Sequence, residues 1–273
     1  MCCENRISVR YGELLVSWGL YQKKIPYVMP DFKPTWADFR TLRVPSLVSL
    51  LGDIGGIVAT IVFVFIVIGL AEVIRRSLSL STNFTRKVIH VGVGNWIFLW
   101  PFAFDHWYAI IVPPALFVVL NYVSYRRELF KAMERKEKAG GLGTVYYAIS
   151  LAIVAPIALI LGVNWIAAAS IMLMAWADGL ADPIGRRHGK HKYRVAGSTK
   201  SIEGSLGFFL VGFCAVAATL VFFNIFSSLP AVNIPIFSLV IAALGTLIEA
   251  VSPAGTDNLT VPIISFILAL LVF

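Results

Sequence analysis

Asp178 and Asp182 stand four residues apart in Trp176-Ala177-Asp178-Gly179-Leu180-Ala181-Asp182-Pro183-Ile184-Gly185-Arg186-Arg187. On a helix that spacing sets both carboxylates on one face. Two carboxylates facing one cavity repel unless a cation or a basic group joins them. Hard oxygen ligands of this kind suit Mg²⁺, above all when substrate phosphates complete the shell. The plainer reading pairs the two aspartates with Arg186 and Arg187. Pro183 and Gly185 mark the expected end of the helix.

A second cluster is Gly197-Ser198-Thr199-Lys200-Ser201-Ile202-Glu203-Gly204-Ser205. Small residues leave backbone N–H groups accessible just before a helix N-terminus, which favours anions, and Lys200 adds a cation. It is no Walker A loop, because GxxxxGK[ST] is absent. Ser201 and Glu203 are one residue too close for a capping box. Further oxygen ligands come from Glu249 and from the turn Ser252-Pro253-Ala254-Gly255-Thr256-Asp257-Asn258, where Asp257 alone also reads as an N-cap. In Arg86-Lys87-Val88-Ile89-His90, Arg86 and His90 share a helix face suited to phosphate or headgroups. Snorkelling explains Arg86 and Lys87 equally well. His188 and His191 read as solvated loop residues, since a zinc site needs more ligands nearby.

The elements that must position these groups are membrane helices. The chain is 58% hydrophobic and only 14% charged, whereas soluble domains are about half apolar and about a quarter charged. A span needs about twenty apolar residues, and about eight candidates lie near 47–74, 88–104, 107–123, 144–162, 164–182, 204–224, 234–250 and 259–273. The second, fifth and last are short or carry polar groups. The expected fold is an all-α integral membrane protein, a polytopic bundle of about 8 transmembrane helices with catalytic loops on the cytosolic side. Most of the 23 Lys and Arg residues fall in segments 75–87, 124–143 and 183–203, and the positive-inside rule turns these to the cytosol. The net charge of +8 follows from loops against an anionic leaflet, so no nucleic-acid partner is expected.

Residues 1–46 read as an N-terminal extension and 47–273 as the transmembrane catalytic domain. No apolar stretch follows a basic start, so no cleaved signal peptide is expected. Cys2 and Cys3 are adjacent and Cys214 lies in an apolar run, so no disulfide framework is expected.

In this order the clusters resemble the family of CTP-dependent polyprenol kinases, which includes dolichol, phytol and farnesol kinases and a CTP-dependent diacylglycerol kinase. These are related to phosphatidate cytidylyltransferase. The resemblance runs through Arg86-Lys87-x-x-His90, Gly143-Thr144-x-Tyr146-Tyr147, Ala177-Asp178-Gly179-x-Ala181-Asp182-x-x-Gly185-Arg186-Arg187 and Lys200-Ser201-x-Glu203-Gly204. It ends at Glu249 and Asp257-Asn258-x-Thr260-x-Pro262. It implies transfer of the γ-phosphate of CTP to an isoprenoid alcohol at the cytosolic face.

On that resemblance Asp178, Asp182 and Asp257 hold Mg²⁺, and Lys200, Arg186 and Arg187 grip the triphosphate. The stretch Ser198–Gly204 cradles it, with Ser198, Ser201, Glu203 and Gly204 in contact. Arg86, Lys87, His90 and Asn258 complete the nucleotide site. Glu249 or Asp182 takes the alcohol's proton. Two alternatives remain: a CTP-dependent cytidylyltransferase making a CDP-lipid, and an ion-coupled membrane transporter using the same carboxylates. Transporter sites usually lie near the midplane, whereas these charges crowd one face.

Overall fold

The computed structural model describes residues 47–127, 141–227, 229, 232–253 and 255–272. The N-terminal extension, Cys2, Cys3, Gly140 and most of the basic segment 124–143 lie outside the described residues.

Nine α-helices are described. They are α1 (Leu47–Ser77), α2 (Thr82–Gly94), α3 (Trp100–Ala103), α4 (Trp107–Arg127), α5 (Gly143–Leu161), α6 (Asn164–His188), α7 (Ile202–Ser227), α8 (Ile234–Val251) and α9 (Asp257–Val272). Five stretches are long and apolar enough to cross a membrane: Gly52–Ser77, Trp107–Arg127, Gly143–Leu161, Ile202–Ile225 and Ile234–Val251. This is an all-α polytopic membrane protein. The other three expected spans fall short for separate reasons. The second is broken: α2 stops at Gly94, a 3₁₀ turn covers Asn95–Phe98, and α3 follows. The last, α9, has 16 residues. The fifth, α6, has 25 residues and carries the charged Asp178–Arg187 end.

Helix α6 forms the centre of the bundle. Ala167, Ala168, Ala169, Ile171, Leu173, Met174, Ala175 and Ala177 are all fully buried. Small side chains let neighbouring backbones approach closely where lipid supplies no hydrophobic drive between helices. A Cβ on Gly94 of α2 would run into Ala175, and one on Gly212 of α7 or Gly245 of α8 would run into Leu173. The outward faces are apolar by contrast; Ile54 and Leu271 are 72% and 77% exposed.

The helix end expected at Pro183 lies further on, at His188. The extra turn is tied down by tertiary contact. A Cβ on Gly185 would lie 3.3 Å from the Gly204 Cα of α7, and Arg186 Nε donates to Asp182 Oδ1 one turn back at 2.8 Å.

The expected loop 198–204 is also more ordered than its small residues suggest. Strands β1 (Lys192–Val195) and β2 (Ser198–Ser201) form an antiparallel hairpin with Tyr193 opposite Lys200. Ala196 and Gly197 make its two-residue turn, both at positive φ (49° and 77°), the backbone geometry that fits a tight hairpin. Ser201 Oγ then accepts from Gly204 N at 3.1 Å and caps α7.

Candidate active site: two cavities sharing one wall

The helix ends that carry the motifs converge at one end of the bundle. Lys87, near the start of α2, donates through Nζ to Asp178 Oδ2 at 2.6 Å and to the Asp178 carbonyl at 3.0 Å. It lies 3.8 Å from Asp182 Oδ2. The aspartate pair on α6 is therefore neutralised by a lysine 91 residues away as well as by the local Arg186. Lys200 on β2 donates to Glu249 Oε1 at 2.7 Å and also to the Glu249 carbonyl at the end of α8. Ser252 and Thr260 hydroxyls meet at 2.7 Å and join the end of α8 to α9. Asn121 on α4 donates to the Thr144 carbonyl at 3.1 Å and joins α4 to α5.

Two cavities open among these helix ends. The first is polar and is lined by Asp182, Arg186, Lys192, Ser198, Thr199, Lys200, Ser201, Gly204 and Glu249, with Asp178, Gly255 and Asp257. The second descends between α1, α2, α4 and α5. Its upper rim holds Arg86, Lys87, His90, Tyr147, Asn258, Asp178, Gly255 and Asp257. Its depths are apolar, with Val64, Val93, Phe117, Ala148 and Leu151. Asp178, Gly255 and Asp257 line both.

The expected site residues divide accordingly. Arg186, Ser198, Lys200, Ser201, Gly204, Asp182 and Glu249 line the polar cavity. Arg86, Lys87, His90 and Asn258 line the apolar one. Arg187 and Glu203 line neither. The Glu203 carboxylate accepts from the His191 backbone N–H at 3.2 Å and lies 2.7 Å from His191 Nδ1, so it holds the hairpin to α7. Asp257 does not cap α9 from outside but opens it, accepting from Asn258 N at 3.0 Å. Gly143 makes room for Asn258, whose Nδ2 would lie 2.9 Å from a Cβ there.

Sequence reasoning gave no individual role to Asn121, Lys192, Thr199 or Tyr147. Asn121 carried a usable signal, a lone amide in the apolar run of α4. Lys192 and Thr199 reach the cavity only because the hairpin folds over it.

The donor set fits a magnesium ion arriving on phosphates better than a resident one. Among the described residues, no group of three or more His, Cys, Asp or Glu is spaced to hold a metal. Asp178 and Asp182 already face cationic side chains. Buried Glu249 Oε2 has no hydrogen-bond partner among the described residues. Mg²⁺ commonly takes one or two carboxylates and fills its shell from water and phosphate.

The chain is 35% identical over 203 residues to a phytol kinase of Synechocystis sp., covering 73% of this chain and 83% of that one. It is 30% identical over 156 residues to a CTP-dependent diacylglycerol kinase of Schizosaccharomyces pombe, covering 54% and 68%. A probable chloroplastic phytol kinase of Oryza sativa is 27% identical over 243 residues, covering 84% and 79%. No protein-family model and no solved structure matches the chain.

Proposed function

This chain belongs to the family of CTP-dependent polyprenol and phytol kinases, and from that premise we propose that it moves the γ-phosphate of CTP onto an isoprenoid alcohol. The observation that carries the reading is the shared wall: Asp178 and Asp257 stand on both a polar and an apolar cavity. Such a junction suits one charged and one greasy substrate whose reacting atoms must meet.

The triphosphate of CTP occupies the polar cavity. Lys200 and Arg186 face it, and Lys192, Ser198 and Thr199 close it from the hairpin. The alcohol's tail lies in the apolar cavity with its hydroxyl at the rim. In the transfer, the alcohol oxygen attacks the γ-phosphorus. The bond from that phosphorus to the β–γ bridging oxygen breaks, and CDP leaves with the bonding pair. Asp257 takes the alcohol's proton, because it reaches both cavities and has no ion-pair partner among the described residues. Glu249 and Asp182 line only the polar cavity and are worse placed for that task. Phosphoryl transfer passes through a loose transition state, so positioning and charge neutralisation carry most of the catalysis.

Asp178 and Asp182 would hold the Mg²⁺, with Asp257 beside them. When bound, the ion would neutralise charge on the phosphate oxygens. Residues 47–273 make up the catalytic domain and 1–46 an extension to it. Arg75, Arg76, Arg86, Arg126, Arg127 and Arg194 lie at the site's end of the helices, which turns that end to the cytosol by the positive-inside rule.

Purified protein with γ-labelled CTP and Mg²⁺ is offered geranylgeraniol, phytol, a long polyprenol and diacylglycerol. Label entering an isoprenoid alcohol is the expected result. Pyrophosphate release with phosphatidate and no labelled lipid would replace the kinase by a cytidylyltransferase.

A further inference from the structure

Three buried polar atoms on the apolar cavity have no hydrogen-bond partner among the described residues: His90 Nε2, Tyr147 Oη and Asn258 Oδ1, of which the first two belong to neighbouring rings. Native structures rarely leave such atoms unpaired, because burial removes their water without replacing it. The His90 side chain is 10% exposed and Tyr147 is 6% exposed. Their rings pack against each other, with centroids 4.2 Å apart and planes tilted by 39°. The pair is thus held in place by its own packing and by the helices that carry it.

His90 and Asp178 stand close without meeting. His90 Nε2 lies 3.8 Å from Asp178 Oδ2, too far for a direct hydrogen bond. An oxygen at an ordinary hydrogen-bond distance of about 2.8 Å from both would bridge them. Asp178 is also on the polar cavity, so such an oxygen would stand at the junction of the two. Beyond this rim the walls become Val64, Val93, Phe117, Ala148 and Leu151. A polar rim above a mostly apolar wall matches a molecule with a hydroxyl on a hydrocarbon chain.

We propose that His90 Nε2 and Tyr147 Oη bind the hydroxyl oxygen of the acceptor alcohol beside Asp178, and that neither contacts the nucleotide. This rests on the kinase reading above and adds which residues choose an alcohol. Tyr147 donates its proton to that oxygen. His90 Nε2 accepts from, or donates to, the same hydroxyl according to its tautomer.

The test uses the full-length protein in detergent, with geranylgeraniol and CTP varied separately. Tyr147→Phe removes only the phenolic oxygen, so its melting midpoint should match wild type. Its kcat/KM for the alcohol should fall about tenfold, the effect of one lost hydrogen bond, with the KM for CTP unchanged. His90→Ala should lower kcat/KM for the alcohol further while CTP binding measured without alcohol stays at the wild-type level. Phytane, which has the hydrocarbon but no hydroxyl, should inhibit wild type and Tyr147→Phe equally. An active wild type whose variants keep their alcohol kinetics, or change only the KM for CTP, overturns the inference and leaves the kinase reading standing. A wild type that phosphorylates no alcohol overturns the kinase reading and the inference with it.

Discussion

Lys87 on α2 and Asp178 on α6 meet at 2.6 Å, with side chains 9% and 18% exposed. Removing one partner of a buried ion pair strands the other charge. This pair therefore ties the proposed metal-facing carboxylate to the stability of the α2–α6 packing.

Asp178→Ala should lower stability by about 3–5 kcal/mol, and Lys87→Met with Asp178→Ala should recover part of that loss. Thermal unfolding in detergent reads the coupling. Equal melting of the single and double variants would mean that the pair contributes nothing. Loss of turnover in Asp178→Asn must therefore be read beside its unfolding curve, because folding and chemistry share this residue.

Lys200 and Glu249 form the corresponding pair on the polar cavity, 14% and 16% exposed. Lys200→Met should raise the KM for CTP at least tenfold, since a charge-assisted hydrogen bond to phosphate is worth roughly 1.5–3 kcal/mol. The KM for the alcohol should stay put. Movement of the alcohol constant alone would remove Lys200 from the nucleotide site.

Chelation should stop label transfer, and Mg²⁺ should restore it. Asp182→Asn should then need more Mg²⁺ for half-maximal rate, with little change in the KM for the alcohol. An unchanged Mg²⁺ requirement would take Asp182 out of the metal assignment.

Two glycines on α1 should respond oppositely. At Gly56 a Cβ would run into the Ala103 carbonyl, whereas at Gly69 nothing lies within 4 Å. Gly56→Ala should destabilise by about 1–3 kcal/mol through overpacking. Gly69→Ala should stabilise by up to about 1 kcal/mol, the helix propensity difference. A matching shift in both melting curves would contradict the close approach of α1 to α3.

Orientation can be read with single cysteines placed at Arg194 and His106 after Cys2, Cys3 and Cys214 are replaced. Arg194 is on the hairpin, and His106 is near the start of α4, where its Nδ1 lies 2.6 Å from Asp53 Oδ2. A membrane-impermeant thiol reagent should reach Arg194→Cys from the cytosolic side and His106→Cys from the other. The reverse pattern would invert the topology.

Composition and long apolar runs determined the membrane class, because about twenty apolar residues in a row have few stable alternatives to spanning lipid. Local spacing likewise placed Asp178 and Asp182 on one helix face, since 3.6 residues per turn leaves no freedom there. The course of α6 past Pro183 was not legible, because its last turn is held by α7 through the Gly185–Gly204 approach. Nor was the partition of the site. Lys87 and His90 lie three residues apart and read as one basic cluster. Only packing against α5 and α6 gives Lys87 an aspartate and His90 a tyrosine ring. Spacing along a helix fixes which side chains share a face. Which cavity that face lines depends on helices far away in sequence, so the tertiary structure alone decided it.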